Sequence, residues 1–178
     1  MAIAGMSSYV VAIDVGVKNL GICVWDFNTA RIALLQTVSL VPHGRYIPKE
    51  NVRYVRDFIS RFQQYFDGAK VVLIERQMRV NMRIIESVVQ ALYYDKCIVV
   101  SPRLIKMHYD LSTKSYRGNK TKAVEWATEF ALNNPCAFAP SVTKEYSLSK
   151  KKDDMADALI MILYYLDTYS NQLYIDDE

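Results

Sequence analysis

The chain has 178 residues, of which 51% are hydrophobic and 23% are charged, and its formal net charge is +3. This composition excludes a disordered chain, and the length favours one domain over two. Charged residues interrupt every apolar run before the roughly 20 residues that a membrane-spanning helix needs, and no signal-peptide pattern is present. We therefore expect a soluble, intracellular protein with an N-terminal extension or leader (1–8), one domain (9–173) and an acidic tail (174–178).

Three strands are predicted in the first part of the chain. The apolar runs are "YVVAID" (9–14), "LGICVWDF" (20–27) and "RIALLQTVSLV" (31–41). Between the first two runs, "VGVKN" offers Gly16 and Asn19, which tolerate the positive φ of a tight turn. The first two strands should therefore pair as an antiparallel hairpin, with the third antiparallel strand beside them.

Helices and strands alternate in the rest of the chain. The remaining predicted elements are a helix over 51–66, a strand at "KVVLIE" (70–75), a helix over 81–94, a strand at "CIVVSP" (97–102), a short helix over 103–109, a polar loop over 110–120, a helix from 123 that ends before Pro135, a segment without periodicity over 135–150 and a last helix over 152–169. This order predicts an α/β fold. Its mixed five-stranded sheet has three antiparallel strands first and then two parallel strands, with helices on both faces.

Acidic residues close two of the predicted strands. Asp14 ends the first strand and Glu75 ends the fourth. If these strands are parallel neighbours, both carboxylates emerge at the edge of the sheet where open α/β folds usually build their sites. In "KKDDMADALIMILYYL" (151–166), Asp154 and Asp157 stand at i and i+3, which places them on one face of the last helix. Two helical acids can therefore face the same edge of the sheet.

Each acid also has a structural alternative. These alternatives are a turn cap for Asp14, an ion pair of Glu75 with Arg76 or Arg79, and a helix cap for Asp153 or Asp154. As a set, however, the four acids have no common structural purpose. At about 4 to 6 Å they would repel by roughly 3 to 4 kcal/mol per close pair, which divalent cations must offset. Oxygen ligands favour Mg²⁺ or Mn²⁺ over zinc, and two such ions are a usual device for hydrolysing a phosphodiester.

A stripe of basic residues covers positions 101–122. It holds six cations and one acid: Arg103, Lys106, Lys114, Arg117, Lys120 and Lys122, with Asp110. Such a stripe is typical of proteins that bind phosphates, although a solvated basic loop has the same composition.

The histidines and cysteines indicate no further site. His43 and His108 are not needed as catalytic bases if metal ions activate the water. The odd number and wide spacing of Cys23, Cys97 and Cys136 indicate neither disulfides nor a zinc site. We interpret the cysteines as reduced residues of the core.

Three motifs in this order resemble a known family. "IDVGVKNLGICVWD", "LIERQMR" and "KKDDMADALIM" resemble the Holliday junction resolvases of poxviruses, which are grouped with bacterial RuvC-type and fungal mitochondrial resolvases in the RNase H-like superfamily. The resemblance spans about residues 9–166. It implies an RNase H-like fold and a metal-dependent DNA endonuclease that cuts four-way junctions by paired symmetric nicks, as in the processing of viral replication concatemers in the host-cell cytoplasm.

The resemblance also implies roles for individual residues. It makes Asp14, Glu75, Asp154 and Asp157 catalytic residues and metal ligands for Mg²⁺ or Mn²⁺, with two ions per site. It makes Lys120 the catalytic lysine, with Lys122 as the alternative. It implies contacts with branched DNA by Arg76, Gln77, Arg79, Lys106, Arg117 and Lys122. A homodimer is also implied, because paired cuts need a second site. The helix over 81–94 is the expected dimer contact; the alternative is that one face lies in the core and the other is solvated.

Other function classes remain as alternatives. The same carboxylates would serve an enzyme that hydrolyses RNA in RNA–DNA hybrids, and a module that binds branched DNA without cutting it is a further possibility. Asp14, Gly16 and Gly21 also resemble the first phosphate loop of actin-like ATPases and sugar kinases. Those folds need two such domains and a second glycine-rich loop, for which six glycines in 178 residues leave little room.

Overall fold

Five strands form one mixed sheet in this computed structural model, which describes residues 8–41, 43–149 and 152–169. The strands are β1 (Tyr9–Asp14), β2 (Leu20–Asp26), β3 (Arg31–Val38), β4 (Ala69–Glu75) and β5 (Cys97–Val100). Their spatial order is β3-β2-β1-β4-β5. β1 pairs antiparallel with β2 and parallel with β4, β2 pairs antiparallel with β3, and β4 pairs parallel with β5. The predicted mixed sheet is therefore confirmed.

Seven α-helices surround this sheet in the described ranges. They are α1 (Asn51–Arg61), α2 (Gln63–Asp67), α3 (Val80–Leu92), α4 (Pro102–His108), α5 (Tyr116–Asn133), α6 (Pro140–Leu148) and α7 (Asp153–Thr168). Short 3-10 turns cover Pro48–Glu50, Tyr94–Lys96 and Pro135–Ala137. None of the described helices is long and apolar enough to cross a membrane. The predicted tail 174–178 and residues 1–7 of the predicted extension lie outside the described residues.

Each face of the sheet buries its own apolar core. Along β1, Val10 and Ala12 belong to the core beneath α5, α6 and α7, whereas Val11 and Ile13 belong to the core beneath α1, α2 and α3. This alternation follows from the two-residue period of a strand. The sheet is covered on both faces, which explains why β1 and β4 are almost continuously apolar until their terminal acids.

Three predictions about local structure differ from the fold. The predicted helix 51–66 is broken at Phe62, which has φ −118° and ψ 22° and separates α1 from α2. The predicted polar loop 110–120 ends early, because α5 begins at Tyr116 and the Ser115 side chain accepts a hydrogen bond from the Gly118 N–H. The segment 135–150 contains α6, which buries Val142 and Tyr146. The Ser115 cap starts α5 earlier than predicted, and the buried pair Val142 and Tyr146 holds α6 against the core. Neither signal has the periodicity by which helices are predicted.

The cysteines only partly match their interpretation as core residues. All three are free, but Cys23 is buried, Cys97 is half-buried and Cys136 is exposed. Cys136 lies in the 3-10 turn Pro135–Ala137, where it faces solvent. The assignment of Cys136 to the core was therefore wrong.

Candidate active site

The acids that end β1 and β4 lie on the same face of the sheet. Ala12 pairs with Leu73 in parallel register, and both residues belong to the core beneath α7. Two residues further along each strand, Asp14 and Glu75 project to the same face. A hydrogen bond joins their side chains. Parallel pairing of the two strands therefore brings together two carboxyl groups that are 61 residues apart in sequence.

The N-terminus of α7 brings the other two acids to the same place. Gly21 of β2 lies opposite Asp14, and a Cβ atom on Gly21 would overlap the backbone carbonyl of Asp154. The first turn of α7 can therefore lie directly against the sheet only because position 21 has no side chain. Asp154 is buried at this contact, and Asp157 follows one helical turn later.

Lys120 places a cation among these acids. Its ammonium group, on α5, forms an ion pair and hydrogen bond with Asp157 on α7. Both side chains are largely shielded from solvent, so the pair is less weakened by salt than a surface pair would be. Packing of α5 against α7 thus carries Lys120 into the cluster of carboxylates.

The four acids and Lys120 line one cavity of about 400 Å³. The predicted DNA-contacting residues Arg76, Gln77, Arg79 and Lys106 also line it. Arg117 and Lys122, both described, lie outside this lining; Arg117 is exposed, and Lys122 bonds Asp110 at 3.3 Å. The fold therefore brings together nine of the eleven residues that the sequence suggested for catalysis or DNA contact.

Burial and crowding disfavour the charged forms of the acids. Burial, together with the charges of Glu75 and Asp157, raises the pKa of Asp14 well above its ordinary value of 3.8. Burial and the charge of Asp157 likewise raise the pKa of Glu75. Burial raises the pKa of Asp157 even though Lys120 opposes the change. For Lys120, burial lowers the pKa, but the charges of Asp157 and Asp14 outweigh it and raise the pKa overall. The cations around the cluster therefore do not fully offset the burial and mutual repulsion of its carboxylates.

The chemistry of this cluster fits a divalent cation. Its donors are carboxylate oxygens, which Mg²⁺ and Mn²⁺ prefer, and a cation would offset the repulsion that raises their pKa values. Among the described residues, no group of three or more acidic, histidine or cysteine side chains stands ready as a metal cage. Asp157 is turned to Lys120, and Asp14 is hydrogen-bonded to Glu75. Binding of a cation would therefore require these side chains to exchange partners.

One buried acid near the site was not predicted from the sequence. Glu86 of α3 accepts a hydrogen bond from the backbone N–H of Gln77 at 2.7 Å, and its other oxygen lies 3.6 Å from Nε of Arg76. Glu75 itself pairs with neither Arg76 nor Arg79 in the contacts observed; its partner in the same loop is the Gln77 side chain. Glu86 stands between Ile85 and Val89 on the buried face of α3, and a charge within an apolar stripe was the signal that could have revealed it.

Further residues of the cavity wall were also missed. They are Val15, Gly16, Val17, Lys18, Asn19, Met78, Met82, Pro102, Tyr116 and Asn119. Met78 and Tyr116 are largely exposed at its rim. Lys18 and Asn19 lie in the predicted hairpin turn, and Tyr116 and Asn119 lie in the first turn of α5, where a polar loop was predicted. Turn and loop composition did not distinguish these residues from other exposed polar ones.

Comparisons with known proteins find one matching family and several similar folds. The family model described as Poxvirus A22 protein matches residues 8–168. A search of curated proteins gives no match. A structure of the fowlpox virus resolvase with its Holliday junction DNA substrate has a TM-score of 0.64 and 16% identity, covering 90% of this chain and 97% of that chain. The yeast mitochondrial Holliday junction resolvase has a TM-score of 0.68 and 17% identity, covering 97% and 89%.

A bacterial structure extends this likeness. Thermus thermophilus RuvC in complex with a Holliday junction substrate has a TM-score of 0.51 and 17% identity, covering 92% of this chain and 97% of that chain. At these identities the solved structures show a shared fold. The predicted RNase H-like architecture is thereby confirmed.

Proposed function

This chain belongs to the poxvirus A22 protein family, and we propose on that premise that it is a metal-dependent DNA endonuclease that resolves four-way junctions by paired symmetric nicks. One observation carries the proposal: on a fold shared with resolvases, four acids and one lysine from β1, β4, α5 and α7 line a single cavity. Acids brought together from such distant segments serve chemistry better than stability, because burying them together is costly.

Different residues of the cavity wall would serve catalysis and DNA binding. Asp14, Glu75, Asp154 and Asp157 would hold two Mg²⁺ or Mn²⁺ ions. Bound metal ions supply activation of the attacking water and stabilisation of the leaving 3′ oxygen. Lys120, held beside Asp157, would place a positive charge next to the scissile phosphate. Arg76, Arg79 and Lys106 in the same wall would hold neighbouring phosphates, which position a strand without reading its sequence.

A homodimer is part of the proposal, because one site cannot cut two opposed strands at once. The outer face of α3 supports it. Val80 and Ile84 are exposed there, and a groove of about 460 Å³ runs along Val80, Arg83, Ile84, Ser87, Val88 and Ala91. Ile85 and Val89 on the opposite face lie in the core. The helix therefore has a second apolar face, which a second copy of the chain would cover.

The family supports a proposal for the biological setting. A poxvirus protein of this kind would act on junctions in replication concatemers, at viral replication sites in the host-cell cytoplasm.

A cleavage comparison tests the proposal. The purified protein is given equal amounts of a four-way DNA junction, a linear duplex and an RNA–DNA hybrid, with Mg²⁺ or with EDTA, and the products are mapped. We expect metal-dependent, symmetrically placed and religatable nicks on the junction. If the protein cuts the hybrid and leaves the junction intact, its substrate is an RNA–DNA hybrid and not a four-way junction. If it binds the junction but cuts nothing, it is a binding module. An Asp157→Asn variant, purified in parallel, controls for a contaminating nuclease.

A further inference from the structure

We propose that Glu86 is a positioning residue that holds the catalytic carboxylate of Glu75 in place through Gln77. This inference rests on the proposed nuclease function and adds to it a residue outside the cavity lining. Glu86 acts from α3, on the opposite side of the β4–α3 loop from the carboxylate cluster.

The first link runs from Glu86 to the loop after β4. Glu86 is only 7% exposed, and one of its carboxylate oxygens accepts the backbone N–H of Gln77 at 2.7 Å. This distance is at the short end of the range for an N–H···O hydrogen bond. The other oxygen lies 3.6 Å from Nε of Arg76, whose side chain is 55% exposed. The carboxylate therefore ties two consecutive residues of the loop to α3.

The second link runs from the loop to the catalytic acid. The side-chain amide of Gln77 donates to the backbone carbonyl of Glu75 and to Oε2 of Glu75, both at 3.1 Å. The backbone N–H of Arg76 donates to the Val100 carbonyl at 2.8 Å, which fastens the same loop to β5. With its backbone held on both sides, Gln77 can direct its amide at one oxygen of Glu75. A metal-ligating carboxylate is oriented by outer hydrogen bonds of this kind.

The placement of Glu86 in the core argues that this contact has a purpose. An apolar side chain at this position would continue the buried stripe of Ile85 and Val89 without the cost of dehydrating a carboxylate. The buried charge instead satisfies one loop N–H and lies beside one arginine. Without Glu86, the Gln77 N–H would lose its partner, and the loop that orients Glu75 would gain freedom.

Glu86→Ala and Glu86→Gln separate positioning from general stability. The glutamine variant keeps an oxygen that can accept the Gln77 N–H, whereas the alanine variant keeps none. In single-turnover cleavage of a four-way junction with saturating Mg²⁺, Glu86→Ala should be slower by about 10- to 100-fold, while its junction affinity, measured with Ca²⁺ in place of Mg²⁺, stays within about threefold. Glu86→Gln should recover most of the rate. Gln90→Ala, an exposed change one turn along α3, is the matched control.

Hydrogen exchange gives a second measurement that does not depend on activity. The Gln77 amide should be protected in the wild-type protein and in Glu86→Gln, and should lose protection in Glu86→Ala while the amides of β4 keep theirs. A wild-type cleavage rate with unchanged Gln77 exchange in Glu86→Ala would overturn the inference, and so would a Glu86→Gln variant as slow as the alanine variant.

A further variant covers the case in which Glu86→Ala does not fold. Gln77→Met keeps the backbone N–H but removes the amide that donates to Glu75, so it should reproduce the loss of single-turnover rate at saturating protein, where a lost DNA contact of Gln77 would not lower the rate. A wild-type rate in Gln77→Met would refute the second link. If the wild-type protein itself does not cut junctions, the proposed function fails, and hydrogen exchange still decides whether Glu86 holds the loop.

Discussion

The backbone carbonyl of Asp154 occupies the space that a side chain on Gly21 would need. This contact sets α7 directly against β2, beside the position where Asp14 pairs with Gly21. The distance between the strand acid and the helical acids is therefore fixed by backbone packing, which is stiffer than any contact between long side chains.

The first prediction concerns this contact. Gly21→Ala should displace the first turn of α7 and lower the free energy of unfolding by about 1–3 kcal/mol, because backbone atoms cannot yield as a flexible side chain can. Junction cleavage should fall further than stability alone explains, since Asp154 and Asp157 move with the helix. Denaturant unfolding and single-turnover cleavage of the folded variant measure the two effects.

Gly68→Ala, where an added Cβ meets the Tyr9 ring, is the control and should retain cleavage. Full activity in Gly21→Ala would contradict the role of the contact.

The second prediction distinguishes two lysines of α5. Lys120 is paired with Asp157 in the cavity, whereas Lys122 bonds Asp110 on the surface. Lys120→Ala should reduce the single-turnover rate by about 100-fold or more, the effect of removing one charged group that stabilises a transition state. Lys122→Ala, the same change two residues away, should remain within a few-fold of the wild-type rate. The reverse result would make Lys122 the catalytic lysine.

The third prediction concerns the charge of Asp14. Because its pKa is raised in the folded protein, the folded state binds this proton more tightly than the unfolded state does. In the metal-free protein, the contribution of Asp14 to stability should therefore be largest below pH 3.8 and should fall as the pH rises from there towards the raised pKa. Asp14→Asn removes this loss, so the metal-free variant should melt at a higher temperature than the wild-type protein at pH 7, with the difference shrinking at low pH.

Cleavage completes the test of Asp14. The Asp14→Asn variant should lose junction cleavage and keep junction binding, because it lacks a proposed metal ligand but keeps the basic cavity wall. Thermal melting with EDTA across pH, cleavage and a binding titration together decide the outcome. A variant that is less stable than the wild-type protein at pH 7, or that loses binding, would support the alternative in which Asp14 only caps the turn.

Much of the fold could be predicted because its signals are local. β1 and β4 are apolar runs that each end in an acid, and the Asp154 and Asp157 spacing lies on one helical face. The contributions of α6 and Glu86 could not be predicted in the same way. α6 buries only Val142 and Tyr146, a single i, i+4 pair that sets no period. Glu86 has its role only because α3 packs beside the β4–α3 loop, a tertiary fact that the local pattern of α3 does not contain.

The fourth prediction concerns the outer face of α3. Ile84→Glu places a charge on the exposed apolar face, where the folded monomer should tolerate it. The variant should therefore be a folded monomer by light scattering, with paired cuts replaced by single nicks. Gln90→Glu, which adds the same charge at an exposed position of α3 outside the groove lining, tests whether charge alone produces the effect. A wild-type protein that is itself monomeric on the junction would contradict the dimer.

The last prediction concerns how the protein holds DNA. Lys106 lines the cavity and is close enough for its charge to lower the pKa of Asp157, whereas Arg117 is exposed outside the cavity lining. Contacts with phosphates release counterions, so the logarithm of the binding constant should fall linearly with the logarithm of salt concentration. Lys106→Ala should weaken binding equally for junctions of different sequence. It should also reduce the magnitude of the salt slope by about 1. Arg117→Ala should change the slope less, because its position allows a contact only with DNA that extends beyond the cavity.

Binding titrations from 50 to 200 mM salt, roughly the range over which phosphate contacts weaken most visibly, measure both slopes. Equal losses in the two variants would extend the DNA interface along the start of α5, and an unchanged slope in Lys106→Ala would remove Lys106 from it.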